Sequence, residues 1–421
     1  MPAAGRVQSR RYAARVGYDA LARYQSESVP PGNGRGRQSL AENDALSADL
    51  PVSYRHRAVV PDLPAPAEYL PLLEEIHQNR WYSNFGPLVR RLEHQLQTAF
   101  AAREESCVTC SSATAGLSAA LLTVGQTGQV LLPAFTFPAS LGAVRAAGMM
   151  PVAVDVDAQS WALRGDRLDR ALAETGAAAV MLVAPFGMHR NWEAEVAICR
   201  KRGAVVVIDN ASGLGSPRSA NGYGERVFEV FSMHATKPFA VGEGGVIIAH
   251  HGHEDALRAA LNFALNSHAD PEGPAWGFNG KMSEFHAAIG IVQSTRIRDI
   301  VRRRQAFAAI YRDRLARYSQ LVCPQAMQCA PWQVFPVLLP SASAAERFVQ
   351  AAAAVGLEIR RYYRPSLSRW PQIRCFDACP VAEDLSERMC VLPVRALAAG
   401  PETEQIVQLV FDALDRALTQ L

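Results

Sequence analysis

The sequence predicts an α/β fold, a mostly parallel sheet covered by helices, followed by a smaller C-terminal α/β domain. Short apolar runs bounded by turn residues recur along the chain, among them Gln129 to Pro133 and Val205 to Ile208. Helical stretches lie between them, as expected for parallel strands buried on both faces. After Lys281 the texture changes, first to one long helical stretch and then to short strands mixed with helices.

The 421 residues are 49% hydrophobic and 20% charged, an ordinary globular composition for one large or two modest domains. A net charge of +3 gives no argument for nucleic acid, and no apolar run reaches the ~18 residues of a membrane span. Polar residues interrupt the N-terminal arginines before a secretory core could form. The eight cysteines are scattered, which reads as reduced thiols and a cytoplasmic location. Cys107 and Cys110 form a C-x-x-C with no second pair to complete a zinc set, so they read as strand-associated thiols. His250, His251 and His253 read as a solvated loop cluster, and no metal site is expected.

Residues 1–57 lack sustained periodicity and carry the breaker cluster Pro30 to Gly36, which predicts a flexible extension. The large domain spans 58–300 and opens with a helix from Pro66 to Asn79. Helices from Ser112 to Val124 and Pro138 to Ala147 alternate with strands from Gln129 to Pro133 and Pro151 to Asp155. Ala177 to Ala184, Glu193 to Arg202 and Ala204 to Asp209 repeat the pattern, and Val227 to Ser232 and Gly245 to Ala249 add two strands. A long helix covers Met282 to Tyr318; its Arg296, Arg298, Arg302, Arg303 and Arg304 read as a solvated or interface face, with a phosphate patch as the alternative. Residues 301–421 hold the rest of that helix and a small domain with helices from Ala344 to Val355 and Glu402 to Leu418.

Four pieces carry chemistry. Lys237 follows a strand in a glycine-rich neighbourhood, suiting an amine whose pKa is lowered for imine formation. Ser232, five positions earlier, can place a hydroxyl on a phosphate. Asp209 ends an apolar strand, where the carboxyl ends of parallel strands meet a ligand crevice and a carboxylate can hold a cationic ring nitrogen; alone, it reads equally as a helix cap or a metal ligand. Ala113 and Thr114, in the run Ser111 to Gly116, open a helix whose free N–H groups can cradle a phosphate, although small residues also serve tight packing. Phe137, in the run Pro133 to Pro138, follows a strand and is either a stacking aromatic or a core residue.

In this order along the chain, the pieces fit a type I enzyme of pyridoxal 5'-phosphate (PLP). The chain resembles the DegT/DnrJ/StrS-type PLP-dependent sugar-nucleotide aminotransferases from about residue 58 to 420. The resemblance rests on Trp81 to Pro87, Cys110 to Leu117, Phe135 to Ala139, Val154 to Asp157 and Ile208 to Ala211. It continues through Phe231 to Lys237, Gly242 to Gly245 and Gly277 to Glu284. It implies the aspartate-aminotransferase-like fold, with Lys237 as the imine-forming lysine and proton shuttle. It also implies Asp209 on the pyridine nitrogen, Phe137 on the ring, and Ser232 with the backbone of Ala113 and Thr114 on the phosphate. Asn279 stands where the family reaches the neighbouring subunit's phosphate, which implies a homodimer. Ser212 stands where the family usually has Gln or His against the ring's phenolic oxygen, and Tyr362 to Ser368 lacks a histidine common on the family's substrate loop.

Relatives with histidine in place of the lysine are dehydratases, so Lys237 implies transamination. The implied donor is an amino acid, L-glutamate in most of the family, and the implied acceptor a nucleotide-linked keto-deoxy sugar. The alternatives are a keto-cyclitol or other small keto substrate, and a non-catalytic regulatory protein of the same fold.

Overall fold

A computed structural model describes residues 54–419, apart from 124, 126, 266–273, 326–328, 372 and 399. Residues 1–53 of the expected extension therefore lie outside the described residues. The chain is already anchored at His56, whose N–H donates to Gly356 O at 2.9 Å and whose carbonyl accepts from Glu358 N at 2.8 Å. Among the described residues, no helix is long and apolar enough to cross a membrane.

Helix α1 (Pro66–Asn79) starts at a proline with preset φ, and the Glu68 carboxylate accepts the Ala65 N–H at 2.6 Å. Helix α2 (Pro87–Phe100) is capped from a distance: Glu284, buried, accepts the N–H groups of Leu88 and Val89 at 2.8 and 2.9 Å. Strands and helices then alternate as β1 (Glu105–Cys110), α3 (Ala113–Thr123), β2 (Gln129–Pro133), α4 (Pro138–Ala146), β3 (Met150–Val154) and α5 (Gly165–Thr175). The alternation continues with β4 (Ala179–Val183), α6 (Glu193–Lys201), β5 (Val205–Asp209), β6 (Val227–Ser232), β7 (Gly245–His250) and α7 (Glu254–Ala260). The long helix α8 (Glu284–Leu315) runs across the expected domain boundary at 300. Beyond it come β8 (Val334–Leu338), α9 (Ala342–Ala354), β9 (Arg360–Arg361), β10 (Arg374–Cys375), α10 (Pro380–Arg388), β11 (Met389–Pro393) and α11 (Pro401–Leu418).

The large sheet has the order β1-β7-β6-β5-β4-β2-β3-β10, and its strands from β6 to β10 are parallel. The expected mostly parallel sheet is present. β7 runs antiparallel to β6, with Ser232 paired to Gly245, so the loop between them joins neighbouring strand ends. This hairpin returns Lys237 to the sheet end where Asp209 finishes β5. The C-terminal chain also contributes β10 to the large sheet, and β8, β11 and β9 form a second, antiparallel sheet.

Two glycines set the approach of α3. A Cβ on Gly245 would come within 2.8 Å of Ala113 N, and one on Gly116 within 2.9 Å of Val230 Cγ1. Without side chains there, the helix N-terminus lies directly on β7 and β6. Cys107 and Cys110 join different hydrophobic cores, on opposite faces of β1, so the C-x-x-C spacing does not bring the thiols together.

The arginine run of α8 divides. Arg302 and Arg303 are exposed and pair with Asp299, whereas Arg304 is buried and donates to Trp332 O and Val394 O, both at 3.2 Å. The reading of all five arginines as one solvated or interface face is corrected at Arg304. It lies on the same buried stripe as Ile297, Ile300, Val301, Tyr311 and Leu315, and it ties α8 to the end of the second sheet where Val334 pairs with Pro393.

Behind β5 and β6 is a buried ionic knot. Arg218 reaches Glu105 at 2.9 Å and Glu229 at 2.6 Å, and Glu229 accepts from Asn210 Nδ2 at 2.8 Å. Burial pulls the pKa of Arg218 down, but the two carboxylates outweigh it and hold it above its ordinary value. Arg218→Met should leave both carboxylates buried and unpaired, costing about 3–5 kcal/mol. The check is the urea midpoint, which should fall with an unchanged slope.

Candidate active site

A cavity of about 400 Å³ opens at the carboxyl ends of the parallel strands, the position where open α/β sheets receive ligands. Asp209, at the end of β5, is 6% exposed and lines its floor. Its Oδ2 accepts from Ser140 Oγ at 2.6 Å and its Oδ1 from Ala211 N at 3.2 Å. Burial raises its pKa, against the two hydrogen bonds and the positive charge of Lys237. Thr136 Oγ1, 2.9 Å from Ser140 Oγ, completes the brace from the start of α4.

Lys237 opens onto the same cavity from the loop between β6 and β7. Burial of its amine lowers its pKa to about 8, and the Asp209 charge pulls it partly back up. Nζ donates to Ser212 Oγ at 2.8 Å and to Gln333 Oε1 at 2.9 Å. Ser212 Oγ donates to the same Gln333 oxygen at 2.9 Å, and Gln333 Nε2 donates to Thr236 Oγ1 at 3.0 Å.

The expected phosphate-binding groups also line the cavity: Ala113 and Thr114 at the first turn of α3, and Ser232 at the end of β6. First-turn N–H groups have no acceptor within their own helix, so they are available to an anion. The two aromatics of the β2–α4 connection separate: Phe135 is buried in the core, whereas Phe137 is 55% exposed and lines the cavity. Phe137 lies tilted against Tyr363, with centroids 6.4 Å apart, and its exposed ring surface faces the cavity.

Asn279 does not line this cavity. Its Oδ1 accepts from Lys281 Nζ at 2.8 Å, beside Asn262 Oδ1, which accepts from the same amine at 2.7 Å. Five further residues belong to the site: Ser140 behind Asp209, and Phe186, Gln333, Arg360 and Tyr363 in the cavity wall. Phe186 and Tyr363 stack at 5.4 Å in the cavity wall. For Gln333 a signal existed: Ser212 is too short to reach far, which asked for a longer side chain from elsewhere. Among the described residues, Glu104, His250 and His251 place ligand atoms within 4.8 Å of one another at the surface. Of these, His250 Nδ1 already accepts from Gly252 N, and His251 Nδ1 lies 2.9 Å from Glu104 O.

The groups present fit PLP: an amine enclosed enough to lose its proton, a buried carboxylate, an anion-receptive helix end and an exposed aromatic ring. Such a cavity belongs to enzymes that handle carbonyl and amine chemistry on a planar phosphorylated cofactor. Residues 66–411 match the DegT/DnrJ/EryC1/StrS aminotransferase family, and the chain belongs to it. It is a PLP-dependent aminotransferase. It is 27% identical over 365 residues to a dTDP-4-amino-4,6-dideoxy-D-glucose transaminase of Shigella dysenteriae, covering 83% of this chain and 96% of that one. It is 25% identical over 359 residues to a GDP-perosamine synthase of Caulobacter vibrioides, covering 82% and 94%. The structure of DesI solved in the presence of its TDP-sugar product superposes with a TM-score of 0.77 at 26% identity, covering 88% and 96%.

The lowered pKa of Lys237 gives a signed expectation. Only the neutral amine attacks an aldehyde, so covalent uptake of PLP by the stripped protein should speed up as pH rises and level off above about 8. An exposed lysine would still be climbing toward its ordinary value of 10.5. Stopped-flow absorbance across pH measures this.

Proposed function

We propose that this protein moves an amino group from an amino acid, L-glutamate, to the carbonyl of a nucleotide-linked keto-deoxy sugar. The observation that carries the reading is Lys237 Nζ, an enclosed amine with a lowered pKa beside buried Asp209. The chain's similarity, over most of its length, to the Shigella transaminase supports the acceptor class. The likeness to DesI, solved in the presence of its TDP-sugar product, supports it further.

PLP, when bound, supplies an electron sink for the bond that breaks beside nitrogen. The chain's own residues do the rest. Lys237 would hold the cofactor covalently through Nζ, and an incoming amine would free it. The freed amine then takes the proton from the donor's α-carbon. It passes that proton on to the cofactor carbon that takes up the nitrogen, and in the second half it moves a proton from there to the sugar carbon that gains nitrogen, acting as base and then acid in each half. Donor and keto sugar leave as the 2-oxo acid and the amino sugar.

Asp209 keeps the pyridine nitrogen protonated, with Ser140 fixing the carboxylate. Phe137 covers one ring face, Ser212 faces the phenolic oxygen, and Ser232 with the N–H groups of Ala113 and Thr114 binds the phosphate. Asn279, outside its own chain's cavity, serves the phosphate site of a second subunit in a homodimer.

Borohydride reduction of the purified protein should leave the cofactor on the peptide carrying Lys237, read by mass spectrometry. Lys237→Ala should slow glutamate-dependent amination by roughly 10²–10⁴-fold or more. A variant that kept full turnover would sink the assignment. Incubation with glutamate and a panel of keto-hexose nucleotides should give one acceptor a product with the mass of the amino sugar. Keto-inositols, run in parallel, should stay unconverted.

A further inference from the structure

We infer that Gln333 is a positioning residue for the proton-transferring amine, holding Lys237 Nζ against Ser212 with an amide carbonyl delivered by the second sheet. The inference rests on the reading of Lys237 given above as the amine that moves the proton.

The orientation of the Gln333 amide follows from its neighbours. His234 Nδ1 accepts the Thr236 N–H at 3.2 Å, so that nitrogen carries a lone pair. The Thr236 hydroxyl, 2.8 Å from the same nitrogen, therefore donates to it. The Thr236 oxygen is left as an acceptor and takes the Gln333 Nε2–H at 3.0 Å. The Gln333 carbonyl must then face the cavity, where its two contacts, Lys237 Nζ and Ser212 Oγ, are both donors, each at 2.9 Å. No flipped amide satisfies this set.

The backbone that carries Gln333 is pinned as well. Buried Arg304 donates to Trp332 O, one residue before it, and β8 begins one residue after it. Gln333 thus reaches the amine from a fixed origin with a fixed amide plane. Its carbonyl and Ser212 Oγ both stabilise the protonated amine. They offset part of the burial that favours the neutral form, so the amine can hold a proton between taking and returning it.

The test uses full-length protein stripped of PLP, so the readout does not depend on turnover. Acetic anhydride labelling of Lys237 across pH, read by peptide mass spectrometry, gives its ionisation midpoint in wild type, Gln333→Met and Gln333→Glu. The midpoint should fall by roughly one unit in Gln333→Met, and rise by about as much in Gln333→Glu, whose carboxylate adds charge. In single turnovers with α-deuterated glutamate, Gln333→Met should lose roughly tenfold to a hundredfold in rate. The isotope effect should be retained and KM little changed.

Unmoved midpoints in both variants, with thermal midpoints like wild type, overturn the inference. If Gln333→Met fails to fold, Gln333→Glu decides it by the upward shift alone. A different result bears on the underlying reading: if added PLP fails to shield wild-type Lys237 from the label, its assignment as cofactor amine falls. The midpoints of the stripped protein still decide the role of Gln333.

Discussion

Lys237 and Asp209 share one cavity floor, and neither is comfortable there as an ion. Burial pushes the carboxyl up and the amine down, each toward its neutral form. Mutual attraction works against that, but in a water-poor site it repays desolvation only when the remaining lone pairs and protons have partners. The surrounding residues supply those partners. Ser140 and Ala211 N–H serve the carboxylate, and Ser212 and Gln333 serve the amine. The pair therefore dictates the chemistry of a shell drawn from the start of α4, the turn after β5 and the approach to β8.

Backbone geometry brings the pair together. Parallel strands end on one side of the sheet, which puts Asp209, Phe137 and Phe186 at a common edge. Lys237 reaches that edge because β6 and β7 form an antiparallel pair, so the loop between them hangs where β6 ends. Gly245, the first residue after this loop, lets α3 approach closely enough to present Ala113 and Thr114 to the same cavity. Glycines around the lysine thus serve sheet and helix packing, and anion binding follows from it.

Much of this was legible in the sequence, for local reasons. An apolar strand ending in aspartate, and a helix opening with small residues, each state their place in the fold within a few positions. Phe137 remained ambiguous because one residue type serves both core and cavity; only burial separates it from Phe135. Arg304 was misread although its spacing placed it on the apolar stripe of α8. Residue type argued for solvent, whereas two backbone carbonyls await its guanidinium inside. Ser140 and Gln333 could not be located from their own surroundings, even though the short Ser212 asked for a longer partner. Their roles are contacts made 69 and 121 residues away, to Asp209 and Ser212, and nothing in their own neighbourhood marks them.

That long-range contact changes what counts as the site. The large sheet alone supplies the lysine, the carboxylate and the anion cradle. It leaves the amine with the single acceptor that Ser212 offers, and Ser212 gives its own proton away. The second acceptor arrives only when β8 has paired with β11 and Arg304 has bound the carbonyls on either side of that pair. Tyr311, further along α8, donates to Pro393 O at 2.8 Å and holds the same end of β11 beside the Arg304 contact. The small sheet and α8 are therefore part of how the amine is held, and the cavity is complete only once they have docked.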